Sequence, residues 1–183
     1  MVLFADATRL RLFPPLRAAW ARVGKPAIVP VTGRNGRCVL FGALNVCTGH
    51  CIVVRQPSET GPGARAFLTE IRRRYRRAPT IWLLLDQGSP HTAAPTRQLA
   101  ANLRIELVWL PKQWPELNGM DQLWRELKRL VAANRQANSV EELAQQTAGW
   151  LRTLSPREAL RKAGILSERF WLKRLWQKFW PNT

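Results

Sequence analysis

Residues 81–86 read IWLLLD, and this short segment decides the fold class. A run of consecutive apolar residues is typical of a strand that is covered on both faces of a sheet. The run ends at Asp86, and the carboxyl ends of such strands are where α/β sheets place their ligands. Ser89 as an N-cap, followed by Pro90, predicts a helix just beyond, with a restart at Pro95 and an end near Leu103.

Upstream of this segment, the sequence predicts three further strands and a helix. Residues 2–7 are apolar except for Asp6 and predict a short buried strand. Residues 37–48 and 51–55 are apolar and β-branched, and the tight glycine turn between them predicts an antiparallel hairpin. In residues 64–77, large apolar side chains recur every four positions among arginines, which predicts an amphipathic helix.

Downstream, a strand and three helices are predicted. Residues 105–110 form the strand, and residues 116–131 carry the clearest helical stripe of apolar side chains. Ser139, with Glu142 three residues later, predicts a capping box that opens a helix reaching to about Leu154. Residues 167–180 predict a last helix with two aromatic rows, which we expect to close the core rather than to bind DNA or a second protein.

The order of these elements predicts a single mixed α/β domain. We expect residues 1–135 to form its core and residues 136–183 to be a C-terminal helical extension of the same domain. A chain of 183 residues with 46% hydrophobic residues is long and apolar enough for one packed core, and too short for two full ones.

The charge balance indicates a polyanionic partner. Lys and Arg number 29 against 12 Asp and Glu, which gives a net charge of +17. An excess of this size, rich in Arg, favours nucleic acid over an anionic membrane surface. No stretch approaches the roughly 18 uninterrupted apolar residues that a membrane span requires, and the N-terminal residues lack a signal-peptide pattern. We therefore expect a bacterial cytoplasmic protein with no membrane partner.

Three cysteines, Cys38, Cys47 and Cys51, form no paired C-x-x-C motif, which favours a reducing compartment. Cys47, His50 and Cys51 resemble part of a zinc site, but such a site needs a fourth ligand. Cys38 lies in an apolar run and is better interpreted as a small core residue. We do not expect zinc.

Three aspartates occupy apolar surroundings. Asp6 lies within an apolar strand, Asp86 ends the most hydrophobic strand, and Asp121 lies at the edge of a helical apolar stripe. A buried carboxylate must be paired, protonated or bound to metal, and three that converge would repel each other without divalent cations. Each also has a simpler interpretation: Asp6 paired with a nearby arginine, Asp86 as a turn residue, and Asp121 paired with Arg125 one helical turn away.

The motifs that contain these aspartates resemble those of a known family. Residues 110–128, LPKQWPELNGMDQLWRELK, resemble the third catalytic motif of bacterial insertion-sequence transposases in the mariner superfamily. The segment LLLDQGSPH resembles the second motif, and FADATRL with the following VLFGALNVCTG resembles the first. The 34 residues from 87 to 120 between Asp86 and Asp121 match the spacing in that superfamily. In this chain, Ala7, Gly119 and Asp121 replace the Glu, Pro and Glu that are common there.

The resemblance implies a ribonuclease H-like mixed sheet flanked by helices. It also implies a DDE-type transposase whose Asp6, Asp86 and Asp121 hold two Mg²⁺ or Mn²⁺ ions for strand cleavage and strand transfer at transposon ends. Glu116 is the rival for the third ligand; we expect it to lie at the helix start instead. His91 is a candidate for a contact to substrate phosphate or for orienting a ligand; packing on the sheet is the alternative.

The resemblance also implies binding partners. Double-stranded DNA, as transposon ends and target, is the expected substrate, and a nucleoid location follows from it. The family places a helix-turn-helix portion before the first catalytic strand, whereas Asp6 follows Met1 by only five residues. A separate N-terminal helix-turn-helix portion and a second copy of the chain are therefore candidate partners.

Two other functions remain open. Another ribonuclease H-like nuclease, such as a resolvase or an RNA–DNA hybrid nuclease, would share the metal site. A truncated or non-catalytic DNA-binding remnant would keep the charge and the fold without the activity.

Overall fold

The computed structural model describes residues 1–31 and 33–173. Five strands form one sheet with the order β3-β2-β1-β4-β5. The strands are β1 (Val2–Arg11), β2 (Arg37–Asn45), β3 (Cys51–Gln56), β4 (Ile81–Leu85) and β5 (Ile105–Trp109). β1, β2 and β3 are antiparallel neighbours, whereas β1, β4 and β5 run parallel. The predicted strand segments and the hairpin are confirmed, and β1 extends four residues further than predicted.

The helices cover both faces of the sheet. They are α1 (Gly61–Arg74), α2 (Ser89–Thr92), α3 (Ala94–Asn102), α4 (Gly119–Leu127), α5 (Val140–Thr153) and α6 (Pro156–Lys162). One apolar cluster packs α1 against the face that carries Leu3, Phe41 and Leu83. The other packs α4, α5 and α6 against the face that carries Phe4 and Leu44. A mixed α/β sheet flanked by helices is thus confirmed.

The predicted boundaries of the first two helices differ slightly from those observed. α1 begins at Gly61, three residues early, because Pro62 is well suited to the first helical turn. The N-cap of α2 is Gly88 rather than Ser89, and Ser89 is the first helical residue. The Gly88 N–H donates a hydrogen bond to a carboxylate oxygen of Asp86, 3.2 Å away. This bond forms the turn that leads into α2, and the helix begins one residue earlier than predicted.

The predicted continuous helix over residues 116–131 is wrong, because the chain breaks at Asn118. A short 3-10 turn, Pro115–Leu117, precedes Asn118, and α4 begins only at Gly119. The Asn118 side chain accepts the Met120 N–H at 3.0 Å, so Asn118, not Glu116, caps the helix. After Leu127 the chain continues as a wider, π-type turn over Lys128–Ala132. The apolar side chains of residues 116–131 keep a helical spacing throughout. The buried Asn118 nevertheless caps α4, so the 3-10 turn Pro115–Leu117 is not part of that helix.

The C-terminal part agrees with the prediction only in part. Ser139 caps α5 by accepting the Glu142 N–H, but the Glu142 carboxylate accepts from Asn138 instead of completing a capping box. α6, which was not predicted, has the complete box, formed by Ser155 and Glu158. Most of the predicted last helix, from residue 174 onward, lies outside the described residues. Within the described part, Trp171 packs edge-on against Phe4 with ring centres 6.3 Å apart.

No helix in residues 1–31 or 33–173 has the length and hydropathy needed to cross a membrane.

Gly42 sets how closely α4 approaches the sheet. A Cβ atom at this position would lie 2.4 Å from Met120 Cε and 2.4 Å from the Trp124 ring, both buried. Real Cβ contacts are never so short, so only glycine permits this packing. Gly42 is also the register partner of Asp6 on the neighbouring strand. The close approach therefore brings the first turn of α4 to the Asp6 region of β1.

We expect Gly42→Ala to destabilise the fold by about 1–3 kcal/mol, because the added methyl group overpacks a filled interface. Urea unfolding followed by circular dichroism would measure this loss. Gly149→Ala is the control, because a Cβ atom there meets nothing within 4 Å and alanine favours the helix. Equal stability of the Gly42→Ala protein and the wild type would show that α4 does not rest on this glycine.

Candidate active site

The register of the parallel strands brings two of the predicted aspartates together. Phe4 on β1 is paired with Leu84 on β4. Asp6 and Asp86 each come two residues later on their own strands, so both lie where the parallel pair ends. Asp121 lies in the first turn of α4, which packs across β1 and β2 beside Gly42. Three residues that are distant in sequence thus approach one end of the sheet.

All three aspartates line one cavity of about 510 Å³. The other lining residues come from the loop after β4 and from the segment between β5 and α4: Gln87, Gly88, Leu110, Pro111, Lys112, Gln113, Trp114, Pro115 and Asn118. Glu116, the rival for the third acidic position, is exposed and does not line the cavity. The structure therefore groups Asp6, Asp86 and Asp121 and leaves Glu116 outside.

The electrostatics of Asp6 show that the cavity concentrates negative charge. Burial, followed by the charges of Asp121 and Asp86, raises the pKa of Asp6 to about 8. The positive charge of Lys128 and a backbone hydrogen bond oppose this shift and do not cancel it. Asp6 is thus a partly buried carboxyl group with too little positive charge around it, and a cation bound there would favour its ionised form.

Asp121 is less buried and has a basic neighbour. Its Oδ2 lies 2.9 Å from Arg125 Nε, so the pairing that was the simpler interpretation of Asp121 is present. Burial raises the pKa of Asp121, and the charges of Arg125 and Lys128 lower it. Although the two atoms are close, Oδ2 is buried and accepts no well-directed hydrogen bond. The ion pair therefore leaves a buried acceptor atom incompletely satisfied.

Asp86 is the exposed member of the three, with 63% of its side chain accessible. Its Oδ1 accepts the Gly88 N–H at 3.2 Å, an arrangement typical of the turn residue that the sequence also suggested. This bond uses one oxygen and leaves the carboxylate open to the cavity.

The three carboxylates share a cavity but are not yet arranged as ligands. Within the described part of the chain, no three Asp, Glu, His or Cys side chains stand close enough to hold one metal ion. Their chemistry nevertheless fits a hard divalent cation, which prefers carboxylate oxygens. The excess negative charge around Asp6 supports the same fit. Metal binding would therefore require the carboxylates to move closer together.

His91 lies behind the site rather than in it. The side chain is 5% exposed, packs edge-on against Phe41 and does not line the cavity. Its Nε2 is 3.8 Å from Asp86 Oδ1, and burial lowers the pKa of the imidazole. His91 thus packs on the sheet beside Asp86, as the alternative interpretation has it, and its contact to substrate phosphate stays a prediction.

Asn118 is a site residue that the sequence analysis did not single out. Its side chain is buried, accepts from Met120 N at 3.0 Å and donates to the Ala5 carbonyl at 2.9 Å. It therefore ties the start of α4, three residues before Asp121, to the residue before Asp6. The signal available in the sequence was the asparagine in PELNGMD, which lies within the quoted third motif.

Cys47, His50 and Cys51 do not stand close enough together, in the part of the chain that the structure describes, to share a metal ion. Cys38 is buried within β2, as predicted for a core residue. Cys47 is exposed, and burial raises the pKa of the Cys51 thiol to about 11.

Comparison with known proteins identifies the relatives of this chain. A family profile described as DDE superfamily endonuclease matches residues 1–144. The insertion element IS630 uncharacterized 39 kDa protein of Shigella sonnei is 28% identical over 156 residues, which cover 85% of this chain and 46% of that protein.

Two solved structures of one transposase have the same fold. The Mos1 transposase paired-end complex with left transposon end matches with a TM-score of 0.70 and 18% identity. The match covers 92% of this chain and 53% of that one. The mariner Mos1 paired end complex with Mg matches with a TM-score of 0.72 and 17% identity, covering 93% and 53%. The predicted ribonuclease H-like sheet is thereby confirmed. The chain spans about half the length of these relatives.

Proposed function

This chain belongs to the DDE superfamily endonucleases, and from this membership we propose that it is the catalytic domain of a DNA transposase. The reaction would be metal-dependent cleavage and strand transfer at transposon ends. One observation carries the proposal: Asp6, Asp86 and Asp121 come from three separate elements and line a single cavity. The similarity to IS630 and Mos1 proteins supports the same function.

Asp6, Asp86 and Asp121 are the proposed ligands for two Mg²⁺ or Mn²⁺ ions. Mos1 has been solved in a paired end complex with Mg, which supports the choice of metal. The chemistry supplied by the bound ions is a lowered pKa of an attacking water or 3′-hydroxyl and a stabilised leaving oxygen. Burial and the two neighbouring aspartates raise the pKa of Asp6 to about 8, so a bound cation would also favour the ionised form of Asp6 that coordinates it.

Other residues would position these ligands and the substrate. Asn118 fixes the start of α4 against β1, and His91 lies close enough to Asp86 to orient it. Lys112 and Trp114 lie on the exposed rim of the cavity, where an ammonium group and an aromatic ring suit contacts to phosphate and to an unstacked base.

The partners follow from the same proposal. The net charge of +17 suits double-stranded DNA, as transposon ends and as target. A second copy of the chain and a separate N-terminal helix-turn-helix portion would complete the assembly, in the bacterial cytoplasm at the nucleoid. We further propose that residues 1–135 are the catalytic core and residues 136–183 a helical extension of it.

A nicking assay tests the function. The purified chain is incubated with supercoiled plasmid in Mn²⁺ or Mg²⁺, and in parallel with an RNA–DNA hybrid and a four-way junction. We expect metal-dependent nicks in the plasmid, no cleavage in EDTA and no preference for the hybrid or the junction. Preference for either of those substrates would indicate another ribonuclease H-like nuclease. Plasmid binding without any cut in either metal would indicate a DNA-binding remnant.

A further inference from the structure

A second cleft, of about 600 Å³, lies along β1 beyond Asp6. Its polar side chains are Arg9, Arg11, Arg34, Asn35 and Lys128, and we call it the basic cleft. None of the described residues that line it is acidic. Glu59, outside the lining, lies 2.7 Å from Arg9, so part of the charge of Arg9 is already matched.

The basic cleft follows an open edge of the sheet. β1 pairs with β4 only through residues 2–4, whereas its pairing with β2 continues to Arg11. Beyond Asp6, β1 is therefore hydrogen-bonded to β2 along one edge. In the described residues, no strand pairs with its other edge there. From Asp6 to Arg11 the strand covers about 17 Å at roughly 3.4 Å per residue.

Lys128 connects the basic cleft to the carboxylate cavity. It lines the basic cleft, and its charge acts on both Asp6 and Asp121. It also begins the π-type turn after α4, in which the Ala133 N–H bonds to the Lys128 carbonyl at 2.9 Å. Such wide turns alter the direction of side chains within a helix and occur frequently at functional sites. Here the turn begins seven residues after Asp121, on the same side of the helix.

A cleft with several cations and no lining acid, which ends about 17 Å of β1 away from Asp6, suits an extended polyanion. B-DNA carries one phosphate per roughly 3.4 Å along each strand, so the path from Asp6 to Arg11 corresponds to several phosphates of one strand. An added peptide strand could also use the open edge of β1, but the positive charge of the lining favours phosphate over a peptide backbone.

We propose that the basic cleft binds the sugar–phosphate backbone of a DNA strand and leads it to the carboxylate cavity. Lys128 contacts the phosphate nearest the aspartates, and Arg11 contacts one farther along. This inference rests on the proposed function for the identity of the reaction, but DNA binding by the basic cleft does not require cleavage.

The test is the salt dependence of DNA binding in EDTA, where cleavage cannot occur. Fluorescence polarisation of a short labelled duplex of arbitrary sequence gives the binding constant over a range of salt concentrations. We expect Lys128→Gln and Arg11→Gln each to reduce the slope of log K against log salt by about 1, and the double variant by about 2. Lys128→Arg should restore the wild-type slope.

Arg73→Gln is the matched control, because Arg73 is exposed on α1 and its charge is already paired with Glu70 at 2.6 Å. Circular dichroism and thermal unfolding of every variant show that the fold is retained. Unchanged slopes for Lys128→Gln and Arg11→Gln would overturn the proposal, as would an equal reduction in Arg73→Gln. Reduced slopes in a protein that never nicks plasmid would support DNA binding by the basic cleft and contradict the proposed nuclease activity. Failure of one proposal can therefore be distinguished from failure of the other.

Discussion

Asp6→Asn, Asp86→Asn and Asp121→Asn are each expected to lower metal-dependent nicking by roughly a thousandfold or more. Residues that merely support metal ligands typically contribute roughly 10–100-fold, so removal of a ligand itself should cost more. An amide keeps the shape of the carboxylate but carries no charge to hold the cation. The three variants should bind duplex DNA in EDTA at least as tightly as the wild type, because none of them removes a positive charge or adds a negative one. Plasmid nicking and fluorescence polarisation measure the two properties separately.

Glu116→Gln is the control for the third position. Glu116 has the same charge as Asp121 and lies close to it in sequence, but its exposed side chain is outside the cavity. Its replacement should leave nicking within about twofold of the wild type, a change too small to reflect a lost ligand. Loss of nicking in Glu116→Gln, with normal nicking in Asp121→Asn, would identify Glu116 rather than Asp121 as the third metal ligand.

Asn118→Leu is expected to destabilise the protein by about 2–4 kcal/mol, because it removes two buried hydrogen bonds at once. The Ala5 carbonyl loses its donor, and the Met120 N–H loses the acceptor that caps α4. Chemical unfolding monitored by tryptophan fluorescence would measure the loss. Nicking should fall as well, even at temperatures where the variant is folded, because Asp6 and Asp121 lose the link between their elements.

Two variants separate the structural role of Asn118 from general damage. Asn118→Asp keeps the acceptor for Met120 but cannot donate to Ala5, so its stability should lie between those of Asn118→Leu and the wild type. Asn102→Leu changes an exposed asparagine whose side chain accepts a hydrogen bond from Gln98 at 3.2 Å, and should alter stability by about 0.5 kcal/mol or less. If Asn118→Leu were as stable as Asn102→Leu, Asn118 would not tie α4 to β1.

Much of the fold could be predicted because its strongest signals are local. The apolar run of β4 and the hairpin of β2 and β3 are each visible in a single window of sequence. The meeting of Asp6 and Asp86 also follows from sequence, since both aspartates come at or near the ends of predicted strands.

What could not be predicted depends on contacts between distant residues. The break before α4 is made by Asn118, whose partner Ala5 is 113 residues away. The narrow gap that α4 occupies exists because Gly42, on a different strand, has no side chain. Asp121 pairs with Arg125 and also lines the cavity. Its position in the sequence is compatible with either role, so the sequence alone could not decide between them.

The central claim, that Asp6, Asp86 and Asp121 form a divalent-metal site, is tested most directly by a manganese anomalous map from a crystal soaked in Mn²⁺. We predict anomalous peaks in the cavity, in contact with all three carboxylates, with Asp121 turned away from Arg125. An Asp121 carboxylate still paired with Arg125, and no peak among the three aspartates of an accessible cavity, would contradict the site and favour a DNA-binding remnant.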